Sequence, residues 1–281
     1  MAGLPVMVKA ALPAVPGVNL LPGIRKSGGD LPDLTLSRHD VEVDVDHAAA
    51  YAALCGFPRK DVLPLPYPHL LAFGLHMQIM TDSSFPLPAI GTVHLENSIT
   101  QHRAIAVTEQ LQVTAHAEHL RPHAKGRAFD MVTKVHSRGE LVWEETSTFL
   151  RRGRGDETAP GGTSFPAAPP TGTEWRLGGD LGRRYASVSG DHNPIHLYAL
   201  TAKALGFPRQ IAHGMWSMAR CVGALENRLP EHVRVDVAFK KPILLPGTVA
   251  FGSRPTEDGY AFGLSSPRSG APHLAGATTA L

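Results

Sequence analysis

Apolar and polar positions along the chain fall into two similar series. Each series has an apolar run without a strong polar stripe, "LLAFGLHMQIM" at 70–80 and "GMWSMARCVGAL" at 214–225. A run of that kind predicts a helix buried nearly all round. Alternating segments follow each run. The first series continues with strands predicted at 91–99, 105–120, 126–138 and 140–152, the second with 233–245, 247–253, 259–266 and 273–281. The alternation of "AFDMVTKVHS" and the Arg138-Gly139 pair predict an antiparallel hairpin. One buried helix followed by an antiparallel sheet, twice over, predicts α+β architecture, each sheet wrapped on its helix.

The two series are weak copies of each other. Each is preceded by Tyr-Ala and a glycine five positions on: Tyr51 and Gly56, then Tyr185 and Gly190. Val93 and Val233 open strands of similar pattern. Between the copies lies "RRGRGDETAPGGTSFPAAPPTGT" (151–173), too rich in Gly, Pro and small polar residues to bury a face. The expected organisation is therefore a half at 1–150, a linker at 151–173 and a second half at 174–281. The copies differ before their helices. The first passes from Gly56 through "FPRKDVLPLPYPH", whereas the second passes from Gly190 through the longer "DHNPIHLYALTAKALGFPRQIAH". One elaborated half predicts one active site, with the other half as wall or lid.

Composition narrows the class without naming a chemistry. With 43% hydrophobic and 19% charged residues the chain reads as an ordinary globular protein, and a formal charge of +2 gives no footprint for nucleic acid. The basic run at 151–155 reads as solvated linker. Cys55 and Cys221 lie in apolar surroundings without metal spacing, which favours buried, reduced thiols. The apolar N-terminal stretch lacks a basic start and is interrupted by three prolines by position 16, so a secretion signal is not expected. No window reaches the ~18 apolar residues of a membrane span. A soluble cytoplasmic protein is expected.

The candidate chemistry sits in the elaborated segment. In "SGDHNPIH" the chain turns at Gly190 and starts a helix at Pro194, with Asn193 as natural N-cap. Capping alone would account for Asn193. The helix is expected to run on through "LYALTAKALGF". Asp191, in the turn, and His196, in the first helical turn, can then face one cleft as an acid–base pair held on a rigid scaffold. Most other histidines, among them His39, His47, His116, His119 and His123, receive no role. Gly214 stands at the start of the buried helix, where free N–H groups and the helix dipole can meet a carbonyl oxygen that gains charge.

"YASVSGDHNPIH" followed by "IAHGM" resembles the signature of the MaoC-like, hotdog-fold (R)-specific enoyl-thioester hydratases, also called hydratase 2. The likeness covers Tyr185, Ser189, Gly190, Asp191, Asn193, Pro194, His196 and His213-Gly214-Met215. The first half, with "LPLPYPHLLAFGLHM" and "GTVHLENSITQHRAI", is similar to the degenerate half of double-hotdog members, so the resemblance spans nearly all of 30–281. Actinobacterial (3R)-hydroxyacyl-thioester dehydratases are the nearest kind. The resemblance implies a double hotdog in which Asp191 and His196 activate one water. That water adds to a trans-2-enoyl thioester of CoA or acyl carrier protein, or leaves in the reverse dehydration. The N–H of Gly214 would bind the thioester oxygen, and Asn193 would support the turn and touch the water. No cofactor or metal is implied. One chain can act alone, although such sheets also pair into homodimers. Arg183, Arg184, Lys203 and Arg209 are candidates for a surface facing a carrier protein.

Three rival readings remain. Asp191, His192 and His196 are metal-ligand types, but the Glu of a zinc-protease helix is missing and Asn-Pro fits a turn better. Hotdog folds also host thioester hydrolysis. A thioester-binding subunit without activity is the third.

Overall fold

The structure, a computed structural model, describes residues 29–89 and 91–281. The N-terminal stretch weighed above as a secretion signal lies outside them. The first series folds as β1 (Thr35–Val41), α1 (Val45–Cys55), α2 (Pro68–Thr81), β2 (Thr92–Gln101), β3 (Leu111–His123), β4 (Gly126–Ser137) and β5 (Glu140–Arg152). The second gives β6 (Pro170–Leu177), α3 (Leu181–Ser189), α4 (Pro194–Leu197), α5 (Ala199–Ala204), α6 (Gly214–Leu225), β7 (Val233–Phe239), β8 (Gly247–Pro255), β9 (Gly259–Ser265) and β10 (Pro272–Ala280).

The strands form one antiparallel sheet in the order β1-β3-β4-β5-β2-β7-β10-β9-β8-β6. Read outward from the centre, the two halves repeat the same order. Their seam is the pairing of β2 with β7, where Ile99 lies opposite Val235. These are the strands that carry Val93 and Val233 at or next to their first residue. The architecture is the expected α+β double hotdog, with the two five-stranded halves joined edge to edge.

Each half wraps a buried helix. Along α6, Met215, Trp216, Met218, Ala219, Cys221, Val222 and Leu225 are all buried. Along α2 the buried positions include Ala72, Leu75, Met77, Ile79 and Met80, but also His69 and His76. The repeated glycines have one job: Gly56 and Gly190 end α1 and α3 in the left-handed conformation, both at φ 76°. That conformation favours residues without a Cβ. The paired tyrosines meet where the halves join, the rings of Tyr51 and Tyr185 lying 6.3 Å apart, fully enclosed. Arg138 (φ 51°) and Gly139 (φ 85°) form the expected tight hairpin turn. Cys55 and Cys221 are free and buried. No helix among the described residues is long and apolar enough to cross a membrane.

Several elements depart from the expected pattern. The strand expected from 105 begins only at Leu111. Glu109 turns the preceding segment by accepting the Ala106 N–H (2.7 Å) and binding the Arg103 guanidinium (2.9 Å). The strand expected to run to 245 ends at Phe239, before Lys240-Lys241-Pro242, where proline removes a ladder donor. Neither β1 nor β6 was expected. Both are outermost strands with mostly exposed side chains, so their sequences carry no apolar alternation. Strand β6 also takes the last residues of the expected linker. The remainder of that linker is fastened to the sheet: Thr163 donates to Glu96 through its N–H (2.6 Å) and hydroxyl (2.9 Å).

Candidate active site

The helix expected to run on from Pro194 is broken. Tyr198 is extended (φ −141°, ψ 149°) and separates α4 from α5. The carbonyls exposed by the break are satisfied locally. Thr201 donates its hydroxyl to Pro194 C=O at 2.7 Å, and the Arg183 guanidinium donates to Leu197 C=O at 3.0 Å. Asn193 caps α4 by accepting the Ile195 N–H at 3.4 Å. The turn before it is held by two Asx/Ser-type bonds. Asp191 Oδ1 accepts the Asn193 N–H (3.0 Å), and Ser189 Oγ accepts the Asp191 N–H (3.2 Å).

This short helix brings His196 and Asp191 to the same cavity, of about 580 Å³. His196 is buried, whereas the Asp191 side chain is 29% exposed. His196 Nδ1 lies 2.8 Å from the Ile211 carbonyl, which can only accept. The proton of the neutral ring must therefore sit on Nδ1, leaving the Nε2 lone pair free. Burial holds the His196 pKa below its ordinary value. Burial would raise the Asp191 pKa, but the neighbouring imidazoles of His213 and His196 and the Asn193 N–H outweigh it, so the net shift is downward. At neutral pH the arrangement is a carboxylate beside a neutral imidazole.

Gly214 lines the same cavity and opens α6. The first bond inside that helix runs from Ser217 N–H to His213 C=O, so the N–H groups of the first turn have no helical acceptor. A Cβ on Gly214 would sit 3.2 Å from the Phe239 ring, so the glycine leaves the approach clear. All four expected site residues, Asp191, Asn193, His196 and Gly214, thus line one cavity. His192 does not. It is exposed, and its Nδ1 lies 3.0 Å from Gly190 C=O.

His213 was matched in the motif but given no role. Its ring stacks on His196 at 3.7 Å between centroids, and its Nε2 lies 3.0 Å from the Asp191 carbonyl. Burial, reinforced by His196, lowers its pKa to about 3. It braces both members of the pair. Asp191, His196 and His213 bring ligand-type atoms within 4.8 Å of one another, the only such group found among the described residues. The protons on His196 Nδ1 and His213 Nε2 go to backbone carbonyls, and His213 Nδ1 is enclosed without a partner. Only Asp191 and His196 are then open to an ion, fewer than the three or four protein ligands zinc takes. The donor set does not fit a metal centre.

Other departures concern the cavity wall. The first half contributes His69, His76 and His94, which no sequence signal singled out because each lies within an apolar or alternating run. Lys125, Arg152, Lys240 and Lys241 also line the cavity, as does His123, which had no expected role. Arg152, read as solvated linker, is therefore part of the wall. Arg183, Arg184, Lys203 and Arg209, the candidates for a surface facing a carrier, are not among the lining residues.

Several known proteins are similar to this chain in sequence and fold. The family description "MaoC like domain" matches residues 173–257. The chain is 38% identical over 276 residues to the 3-hydroxyacyl-thioester dehydratase X of Mycobacterium tuberculosis, covering 97% of this chain and 96% of that protein. The crystal structure of that dehydratase superposes with a TM-score of 0.80, covering 88% of this chain and 100% of the other. A MaoC-like dehydratase from Phytophthora capsici, 20% identical, matches in fold with a TM-score of 0.72 over 89% of this chain and 96% of its own. A further M. tuberculosis protein, described as having a double hotdog fold, matches at 14% identity with a TM-score of 0.55, over 90% and 98% of the two chains.

Proposed function

This chain belongs to the MaoC-like dehydratase family, and from that premise we propose that it is a hydro-lyase, interconverting trans-2-enoyl and (3R)-hydroxyacyl thioesters in fatty-acid metabolism. The substrate is a thioester of CoA or acyl carrier protein. The observation that carries the reading is the fixed tautomer of His196 facing the Asp191 carboxylate beside the start of α6. Residues 174–281 carry the chemistry, residues 1–150 supply the facing wall, and 151–173 connect them. One chain contains the whole site, whether it acts alone or as a homodimer, and the cytoplasm is its expected location.

In the hydration direction a water is held between Asp191 and His196 Nε2. His196 takes a proton as the water oxygen bonds to C3, and the C2–C3 π pair moves into the thioester as an enolate. The N–H of Gly214 donates to the enolate oxygen, and the α6 dipole favours its charge. The pair returns the proton to C2, which completes addition of one water and leaves both residues as they began. Dehydration is the same path reversed: the pair removes the C2 proton and delivers it to the departing hydroxyl. Asn193 fixes the turn that aims Asp191. His213 holds the His196 ring plane.

The test is an assay of the pure protein against trans-2-enoyl-CoAs of graded length, with chiral analysis of the product. Loss of enoyl absorbance and a (3R)-hydroxyacyl product are expected. Release of free thiol without loss of the enoyl signal would assign a thioesterase instead. Binding without turnover of any chain would leave a non-catalytic subunit.

A further inference from the structure

Charged side chains line the cavity at two levels. Asp191 sits at the reacting end. Lys125, Arg152, Lys240 and Lys241 are exposed, and so mark the mouth. They are far apart in the sequence but gather at one end of the sheet. The β3–β4 turn sets Lys125 beside the end of β5, where the Gly153 N–H donates to Lys125 C=O at 3.0 Å and Gly126 lies opposite Arg152. Strand β2 starts at that end, with Thr92 opposite Arg151, and its Glu96 lies opposite Ala238 near the end of β7. Lys240 and Lys241 follow β7 directly. Their N–H groups donate to the carbonyls of His273 and Pro272 at 2.9 and 3.1 Å. Only β2 separates β5 from β7. The two cation pairs therefore stand two strand spacings apart across the sheet, about 10 Å.

The ion pairs among the described residues leave all four cations out. Lys240 reaches a backbone carbonyl, that of Thr163, at 3.4 Å. The acids nearby are engaged elsewhere. Glu96 accepts from the N–H and hydroxyl of Thr163. The Asp156 N–H donates to His123 C=O at 3.1 Å, but its carboxylate accepts from the N–H (2.9 Å) and hydroxyl (2.6 Å) of Thr158. Like charges gathered on one rim repel one another, and a bound anion removes that cost.

We propose that this rim binds the phosphate groups of coenzyme A, so that CoA and not an acyl carrier protein carries the acyl chain. CoA brings a diphosphate and a phosphomonoester on one flexible ligand, and two banks of Lys and Arg suit them through charge-assisted hydrogen bonds. The prosthetic arm of a carrier protein brings one phosphodiester, and the protein around it docks on apolar anchors as well as charge. The exposed large apolar residues are Val45, Tyr198, Leu200, Leu205 and Leu281, and none of them lines the cavity. The rim is also continuous with the reacting end. Phe239 immediately precedes Lys240, and its ring lies 3.2 Å from where a Cβ on Gly214 would sit. Both halves then hold the carrier, although only the second supplies reacting groups. This inference rests on the thioester reading above and narrows its carrier.

The test attaches one trans-2-enoyl chain to CoA, to dephospho-CoA and to pantetheine, which has no phosphate. The enzymes are the wild type, the double variants Lys125→Gln/Arg152→Gln and Lys240→Gln/Lys241→Gln, and Lys203→Gln, which removes a cation away from the rim. Circular dichroism checks that they fold. On the wild type kcat/KM should fall by about tenfold or more from CoA to pantetheine, mainly through KM, with dephospho-CoA between them. Each rim variant should raise KM for the enoyl-CoA by about tenfold with kcat hardly changed, and should narrow the gap to pantetheine. Lys203→Gln should match the wild type, and added salt should imitate the rim variants. Equal kcat/KM for the CoA and pantetheine thioesters on the wild type, or rim variants that slow both alike, would overturn the site. An acyl-carrier-protein thioester used better than the enoyl-CoA would overturn it too, and would make the rim a protein-docking surface. A second arm needs no turnover: equilibrium binding of CoA and of pantetheine. CoA binding that the rim variants weaken, without hydration of any enoyl thioester, would retain the rim while removing the hydratase reading. Hydration of enoyl-pantetheine as fast as of enoyl-CoA would retain the hydratase reading and remove the rim.

Discussion

The segments before the two central helices differ more than any other equivalent parts of the molecule. From Gly56 the first half runs straight through residues 57–67 into α2. From Gly190 the second half takes 191–213, with two short helices, before entering α6. The scaffold on either side is the same: a left-handed glycine, a buried helix, a five-stranded half-sheet. Only the longer segment can turn a histidine back onto a carboxylate. The shorter one contributes nothing to the cavity, and the wall histidines of that half, His69, His76 and His94, lie on α2 and β2 instead. On the proposed reading the duplicated frame separates two tasks, with bond chemistry in the second half and the facing cavity wall in the first.

Removing the chemistry from the second half should have the largest effect. Asp191→Asn and His196→Gln are each expected to lower turnover by about 10²–10⁴-fold with an unchanged circular dichroism spectrum, as for loss of a positioned proton-transfer group. Near-wild-type rates in either would break the asymmetry. Next come the glycines of the central helices. Gly214→Ala sets a Cβ against the Phe239 ring at 3.2 Å and narrows the approach to the helix start, and should cost roughly tenfold or more in kcat/KM. The pH profile is the third comparison. The proposed mechanism needs ionised Asp191 and neutral His196, and both pKa values are displaced downward. The acid limb of kcat/KM should therefore lie below the ordinary histidine value of 6.5.

Stability should follow pH with the same sign. His76 and His94 in the first half and His213 in the second are held neutral by burial, each with its pKa lowered to about 3. Unfolded, they take up protons below 6.5. Their contribution is complete above 6.5 and is lost as pH falls from there toward 3, so Tm should drop over that window. The smallest effect is expected at Gly74, the interior glycine of α2. A Cβ there meets nothing within 4 Å, so Gly74→Ala should leave activity unchanged and add about 0.5–1 kcal/mol of stability in a denaturant titration. A loss of activity matching that of Gly214→Ala would show the two helices to be functionally alike.

What could be read in the sequence follows from how each feature is encoded. Central helices and inner strands are written in apolar periodicity, and α6 begins and ends as expected because most of its side chains are buried. The outer strands β1 and β6 are written only in backbone hydrogen bonds to β3 and β8, which leave no pattern in side chains. The pair Asp191 and His196 was visible because a turn and a cap place both within a few residues. His213 was not, since its stacking on His196 and its bond to Asp191 C=O arise from chain return after the α4–α5 detour. The break at Tyr198 was also hidden, because "LYALTAKALGF" has good helix formers and its interruption is stabilised by distant Arg183.

The seam of β2 with β7 bears on how such a chain can change. Two identical subunits joined along the same edge would receive every substitution twice, and a residue that helped one cavity would burden its twin. Here the strands that meet at the seam are encoded separately, so Asn97 can face Val237 rather than a copy of itself. Histidines can accumulate on α2 and β2 of one half while α6 itself carries none. The cavity wall of the first half can therefore change without residues 174–281 having to follow.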